Sequence, residues 1–312
     1  MISRRLVLGS LAASVATPSL AQKPGRLRIG FQKGEPILIA AKQQRSFETE
    51  FGKLGVKVDW LEFPFGPPLL EAMRVDSIDV GAVGDTPPIF AQAARAPLVY
   101  IAARPGSGRG MGILVPPGSP LSKLGDLKSK RVAFAPGSSA HNLIVAALDK
   151  AGLTYSDIQP AYLAPADAAP AFTEGSIDAW SIWDPYLALG QSRPGVRLLA
   201  SGHDISPQNS FYMASRAYAT QHPELIQAFA AIIRSTGAWC DHNRPAVAKM
   251  LSDGTGVPLA PMRIAIERGD YACIPISTKL LQQQQQIADR FYRLLLIPRP
   301  INVQEYAIQE QT

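Results

Sequence analysis

Between Arg26 and Ala214 the chain alternates short apolar runs with stretches of helical periodicity, and this alternation restricts it to a layered α/β fold with mostly parallel sheets. Strands are predicted at 27–31, 56–61, 78–83, 98–102, 111–115, 131–135, 158–163, 177–182, 196–200 and 211–214. Helices are predicted at 36–45, 67–73, 87–94, 141–151 and 167–172, and from Pro223 onward the pattern is mostly helical. The run Gln282 to Gln286 is flanked by Leu280, Leu281, Ile287, Phe291 and Leu294 at helical spacing, which predicts a solvated helix face.

A weak internal repeat divides the alternating region. Ser77-Ile78-Asp79-Val80 recurs 99 residues later as Ser176-Ile177-Asp178-Ala179, each time between a helix and an apolar strand. Arg26-Leu27-Arg28-Ile29-Gly30 ahead of Gln32-Lys33-Gly34 is answered by Lys130-Arg131-Val132-Ala133-Phe134 ahead of Pro136-Gly137-Ser138. The two halves read as copies of one α/β lobe, joined by the glycine-rich crossover Arg104 to Gly110. That crossover lacks the spacing of a dinucleotide-binding turn. At roughly 100 to 200 residues per domain, 312 residues suit two lobes. The expected division is 22–105 with 207–312 for the first lobe and 106–206 for the second.

The N-terminus reads as an export leader: Arg4-Arg5, an apolar stretch from Leu6 to Val15, and small residues at Ser19 and Ala21 before a cut ahead of Gln22. Residues 1–21 are therefore expected to be removed, and Ser3-Arg4-Arg5-Leu6 also fits a twin-arginine signal. The apolar stretch falls short of the ~20 residues of a membrane span. Loss of Arg4 and Arg5 lowers the net charge from +6 to +4, and the remaining Lys and Arg form no stripe, which argues against nucleic-acid binding. Two cysteines exclude a disulfide scaffold. Cys240 and Cys273 are open to either reading, one bond in an oxidising compartment or two buried thiols.

Candidate chemistry gathers at four strand-to-helix junctions: Gln32-Lys33-Gly34-Glu35-Pro36, Gly84-Asp85-Thr86-Pro87-Pro88, Pro136-Gly137-Ser138-Ser139 and Trp183-Asp184-Pro185-Tyr186. Ligands of open α/β sheets bind at this edge. Unpaired first-turn amides and the helix dipole suit each junction to an anion. Asp85 and Asp184 are unsuited to touch that anion and are assigned to capping or to a cationic group elsewhere on the ligand. His141 follows Ser138-Ser139 at the start of a helix and is a candidate to face the cleft. His141, His203, His222 and His242 show no metal-ligand spacing, and no nucleophile elbow or phosphate loop is present, so neither a metal nor a cofactor is expected.

The segments Val58 to Pro64, Leu69-Leu70-Glu71-Ala72, Val83 to Ala93, Ser176 to Trp180, Trp183-Asp184-Pro185-Tyr186 and Phe211-Tyr212 resemble the aliphatic sulfonate-binding proteins of ATP-binding-cassette importers, within the nitrate, sulfonate and taurine binding family. The similarity extends over the tail motifs Thr255-Gly256-Val257-Pro258 and Pro275-Ile276-Ser277. It implies a two-lobed periplasmic-binding-protein-like fold of type II, closing by a hinge over its ligand. It also implies a non-enzymatic, monomeric solute receptor in the periplasm that delivers a small organic sulfonate or related anion to a permease in the inner membrane. By position, Gln32, Gly84, Asp85 and Thr86 would line one wall, and Ser138, Ser139, His141, Trp183 and Asp184 the other. Thr86, Ser138, Ser139 and Gln32 would donate to the sulfonate, and Trp183 would contact its organic tail. The chain departs from the pattern at Gly84-Asp85-Thr86-Pro87-Pro88, where relatives commonly read Gly-Glu-Ala-Pro-Pro, and at Asp76, where they favour glycine. Alternatives on the same lobes are receptors for taurine, nitrate, a pyrimidine or sulfate esters, thiamine-pyrimidine biosynthetic enzymes, and ligand-sensing domains.

Overall fold

The computed structural model describes residues 25–308, so the leader lies outside the described residues. In chain order the elements are β1 (Arg26–Gln32), α1 (Pro36–Gln43), α2 (Ser46–Gly52), β2 (Lys57–Phe63), α3 (Gly66–Arg74), β3 (Val80–Gly84), α4 (Thr86–Ala93), β4 (Leu98–Arg104) and β5 (Met111–Val115). Then follow β6 (Arg131–Phe134), α5 (Ser139–Ala151), β7 (Gln159–Tyr162), α6 (Pro165–Thr173), β8 (Ala179–Trp183), α7 (Tyr186–Gln191), β9 (Arg197–Ser201) and β10 (Ser210–Ser215). The tail is α8 (Arg216–Gln221), α9 (Pro223–His242), α10 (Arg244–Thr255), α11 (Leu259–Arg268) and α12 (Thr278–Arg293).

The strands form two five-stranded sheets with one plan. In the order β2-β1-β3-β10-β4, β1 runs parallel to β2 and β3 while β10 runs antiparallel to β3 and β4. The order β7-β6-β8-β5-β9 repeats this, with β5 as the antiparallel strand. Each sheet is thus mostly parallel, and its reversed strand is the one on which the chain arrives from the other sheet. The repeated Ser-Ile-Asp motif has a mechanical reason. Asp79 accepts the Arg28 amide at 2.7 Å and Asp178 accepts the Arg131 amide at 2.7 Å, so each carboxylate pins the start of its sheet's central parallel strand. Ile78 and Ile177 beside them are buried in the cores.

The chain passes between the sheets in residues 105–110 and 202–209, and these two crossings touch. The Gly106 amide donates to Asn209 Oδ1 at 3.3 Å, and a Cβ on Gly106 would stand 1.8 Å from the Gln208 carbonyl oxygen. Only a residue without a side chain permits that approach.

One apolar core joins both sheets, with Tyr100 and Phe211 of the first sheet and Ile89 of α4, Phe134 of the second sheet and Leu143 of α5, and Phe291 of α12. A second core packs α1, α2, α9 and α10 on the first sheet, and a third packs α6 and α7 on the second. Two local expectations are corrected. The first helix ends at Gln43 because Arg45 adopts a left-handed backbone, φ 55°, and a separate α2 begins, burying Phe47 and Phe51 four residues apart. The glutamine run is only partly a solvated face: Gln282 and Gln286 are exposed, but Gln284 is buried and donates to the Asp85 carbonyl and the Tyr100 hydroxyl. Cys240 and Cys273 are both free and buried, which resolves that alternative in favour of two thiols.

Candidate functional site

A cleft of about 190 Å³ opens between the sheets at the carboxyl ends of their parallel strands. Gln32, Gly84, Ser138, Ser139, Trp183 and Asp184 all line it, brought from four strand ends in two sheets. Its apolar wall comes from Trp183, Met111, Leu251, Met262 and Ile266, enough greasy surface for a short organic chain.

The four junctions share a layout but differ in whether their amides are already used. At α1 the Glu35 carboxylate accepts the Leu38 amide at 2.5 Å and the Tyr212 hydroxyl at 3.2 Å, and burial pushes its pKa up. At α4 the wholly buried Asp85 takes the Thr86 hydroxyl at 2.8 Å and the Asn142 amide at 3.0 Å, and burial raises its pKa as well. Pro87 and Pro88 then supply no N–H at all. At α7, Asp184 Oδ1 accepts the Ala188 amide at 3.0 Å. Three helix starts therefore hold their own carboxylate.

The start of α5 is different. The Ser138 hydroxyl turns back to the Ala135 carbonyl at 2.7 Å and caps nothing. Among the described residues the amides of Ser139 and Ala140 find no acceptor. A thirteen-residue helix thus points its positive end and two free donors at the cleft wall. Gly84 faces it so closely that a Cβ there would lie 2.0 Å from Ser139 Oγ.

Three residues predicted to line the cleft stand behind its wall. Asp85 and Thr86 are fully buried and bonded to each other, so the Thr86 hydroxyl is spent on Asp85 and not offered to a ligand. His141 is buried as well: its ring stacks on Phe134 with centroids 4.8 Å apart, Nδ1 accepts the Gly137 amide at 3.2 Å, and Nε2 meets the Tyr155 hydroxyl at 3.1 Å. Burial lowers its pKa to about 4, so it is neutral and braces the turn before α5. Gln32 lines the cleft, but its amide donates to the Ala82 carbonyl at 2.9 Å.

Sequence reasoning missed both arginines of the cleft. Arg104, at the end of β4, donates to the Asp270 carbonyl at 2.9 Å and Ser210 Oγ at 3.2 Å, stands 4.0 Å from Glu35, and keeps a buried Nε without an acceptor. Arg268, at the end of α11, lies 3.4 Å from Asp184 Oδ1 and donates to Gln191 at 2.6 Å. Arg104 opens the glycine-rich crossover, a usable hint. Arg268 meets Asp184 across 84 residues and leaves no local pattern.

The NMT1-like family matches residues 21–252. A relative from Escherichia coli (strain K12), named as an aliphatic sulfonates-binding protein, is 39% identical over 305 residues, covering 97% of this chain and 95% of its own. The solved alkanesulfonate-binding protein SsuA from Xanthomonas axonopodis pv. citri, bound to MOPS, superposes with a TM-score of 0.87 at 39% identity, covering 92% of this chain and 99% of that one. The periplasmic aliphatic sulphonate binding protein SsuA from Escherichia coli gives a TM-score of 0.84 at 40% identity, with 92% of each chain covered. In sequence over nearly its whole length, in the two-sheet plan and in the cleft between the sheets, this chain belongs to the NMT1-like family, alongside its aliphatic sulfonate-binding members.

Proposed function

We propose that this protein is an exported solute receptor that captures a small organic sulfonate between its two sheets and delivers it to an inner-membrane permease of an ATP-binding-cassette importer. The observation that carries the reading is the start of α5, the one junction of the four with no carboxylate in its own sequence, where the amides of Ser139 and Ala140 are left without an acceptor. A sulfonate there accepts from the Ser139 and Ala140 amides, with the helix dipole behind them, while the Ser139 hydroxyl is turned to Asp85. Two hydrogen bonds to a charged group at about 1.5 to 3 kcal/mol each, with tail contacts against Trp183 and Met262, reach micromolar affinity.

The two crossings at 105–110 and 202–209 act as the hinge. Because the donors lie on the second sheet's side and Gly84 and Gln32 on the first, a bound ligand touches both sides only when the lobes are closed, which favours that state. The permease reads the closed form. The relatives named for sulfonates and the one holding MOPS, a propanesulfonate, support the ligand class. The apolar wall supports an organic anion over bare nitrate.

Calorimetry on residues 22–312 with butane-1-sulfonate tests this. Micromolar binding that falls at least about 10-fold in Ser139→Pro, which removes one of the two free amides at a first-turn position that tolerates proline, is expected from the loss of a charge-assisted donor. Binding of nitrate with no heat from any sulfonate would overturn it.

A further inference from the structure

Two helices that belong to different sheets end against each other beside the cleft. α7 is seated on the second sheet, where Leu187 joins Phe172, Trp180 and Ile182 in one apolar core and a Cβ on Gly190 would meet Leu114 at 2.5 Å. α11 belongs to the helical layer of the first sheet through Met262, Ala265 and Ile266. Yet Ala188 of α7 is buried in that first layer's core and not in its own. Arg268, the last residue of α11, donates to Oε1 of Gln191, the last residue of α7, at 2.6 Å, and its other terminal nitrogen stands 3.4 Å from Asp184 Oδ1. Arg268 and Asp184 line the cleft; Gln191 lies outside it.

The root of this bridge is tied to the crossing between the sheets. Asp270, two residues beyond Arg268, accepts the Ser107 amide at 2.8 Å and the Ser107 hydroxyl at 2.7 Å, while its carbonyl accepts from Arg104 at 2.9 Å. The guanidinium is therefore held from the first sheet and from the crossing 105–110, and its contacts with Gln191 and Asp184 are what reach the second sheet. A rotation of the second sheet about the crossings carries α7 away from α11 and breaks both. One charged partner makes the Arg268–Gln191 bond stronger than a bond between neutral groups, and a neutral acceptor keeps it weaker than a bidentate ion pair. That strength biases closure without locking it.

We infer that Gln191 sets the affinity of the cleft without touching the ligand: by accepting from Arg268 across the two sheets it stabilises the closed arrangement and slows release. The inference rests on the sulfonate and hinge reading above and adds to it the residue that tunes closure. Apparent affinity scales with the fraction of protein in the binding-competent closed form, so a bond made only in that form enters the dissociation constant directly. Ligand enters the open form, so the bond acts on release and leaves capture alone.

Stopped-flow tryptophan fluorescence on residues 22–312 with butane-1-sulfonate separates the two rates, with Trp183 on the cleft wall as reporter. Gln191→Leu, which removes the acceptor, is expected to raise the dissociation rate constant about 10-fold with association within about 3-fold of wild type. Gln191→Glu, which keeps an acceptor and adds a charge opposite Arg268, is expected to release ligand no faster than wild type. Unchanged release from Gln191→Leu, a loss confined to its association rate, or release from Gln191→Glu as fast as from Gln191→Leu would overturn the inference while leaving the sulfonate reading intact. Small-angle scattering without ligand tests closure by itself, because the radius of gyration is expected to be larger in Gln191→Leu than in Gln191→Glu. Equal radii would overturn the inference. Absence of any binding by the wild type would overturn the sulfonate reading and leave the scattering comparison to decide closure. Should Gln191→Leu fail to fold, wild type against Gln191→Glu decides, with faster release from the variant counting against the inference.

Discussion

The side-chain amide of Asn142, on α5, donates to the buried carboxylate of Asp85, at the head of α4, across a seam between the two sheets at 3.0 Å. Arg290 of α12 holds the other side of Asn142 at 3.2 Å and reaches Asp149 at 3.0 Å, so three elements meet at one polar chain inside an apolar core. Asn142→Ala strips a donor from a fully buried carboxylate and is expected to cost about 1 to 3 kcal/mol of stability. Urea denaturation measures this, and an unchanged midpoint with unchanged slope would show that the bond contributes nothing.

Thr86→Val separates the two roles a threonine at this position can have. Its hydroxyl donates to Asp85 behind the wall, so the variant is expected to lose roughly 1 kcal/mol of stability. Sulfonate affinity should stay within about 2-fold. A large loss of affinity in calorimetry would return the hydroxyl to the cleft.

At Gly84 the close approach of Ser139 makes a methyl group costly. Gly84→Ala puts a carbon where the Ser139 hydroxyl stands, 2.0 Å away, and overpacking of this kind costs about 1 to 3 kcal/mol. Pairing it with Ser139→Ala, which removes the clashing oxygen, should restore most of the melting temperature. Additive losses of stability in the double variant would mean the two residues do not meet.

Two buried groups give stability opposite slopes against pH. Burial raises the Asp184 pKa from 3.8 to about 6, so the folded state prefers the protonated acid, and its contribution is lost as pH rises from about 4 through 6. Burial lowers the His141 pKa from 6.5 to about 4, so its contribution is full above 6.5 and lost as pH falls toward 4. Each amounts to up to about 3 kcal/mol. Compared between pH 4 and 6.5, Asp184→Asn is therefore expected to gain stability with rising pH relative to wild type, and His141→Gln to lose it. Glu35 and Asp85, also raised by burial, are common to both variants and cancel in the comparison. Parallel melting profiles for the two variants would contradict the assigned protonation states.

What the sequence made legible was whatever depends on local pattern. The alternation of elements, the Ser-Ile-Asp repeat and the strand-to-helix junctions are written in spacing, and Gln32, Ser138, Ser139, Trp183 and Asp184 do line one cleft. The separate α2 was legible in principle from Phe47 and Phe51, four residues apart and both buried. What could not be read locally is which hydrogen-bonding groups are already satisfied. Thr86 looks like a ligand donor until Asp85 is seen to accept from it. His141 looks cleft-facing until Phe134, Tyr155 and Phe291 close around it. Arg268 enters the cleft and Gln284 the packing behind its wall from the helical tail, where nothing in their neighbours marks them.

The most direct measurement is a crystal structure of residues 22–312 grown with butane-1-sulfonate. The sulfonate oxygens are expected within about 3 Å of the Ser139 and Ala140 amide nitrogens, with the alkyl chain against Trp183 and Met262. A sulfonate seated instead at Arg104, or on any surface outside the cleft, with the start of α5 facing only water, would contradict the assignment of the anion to that helix.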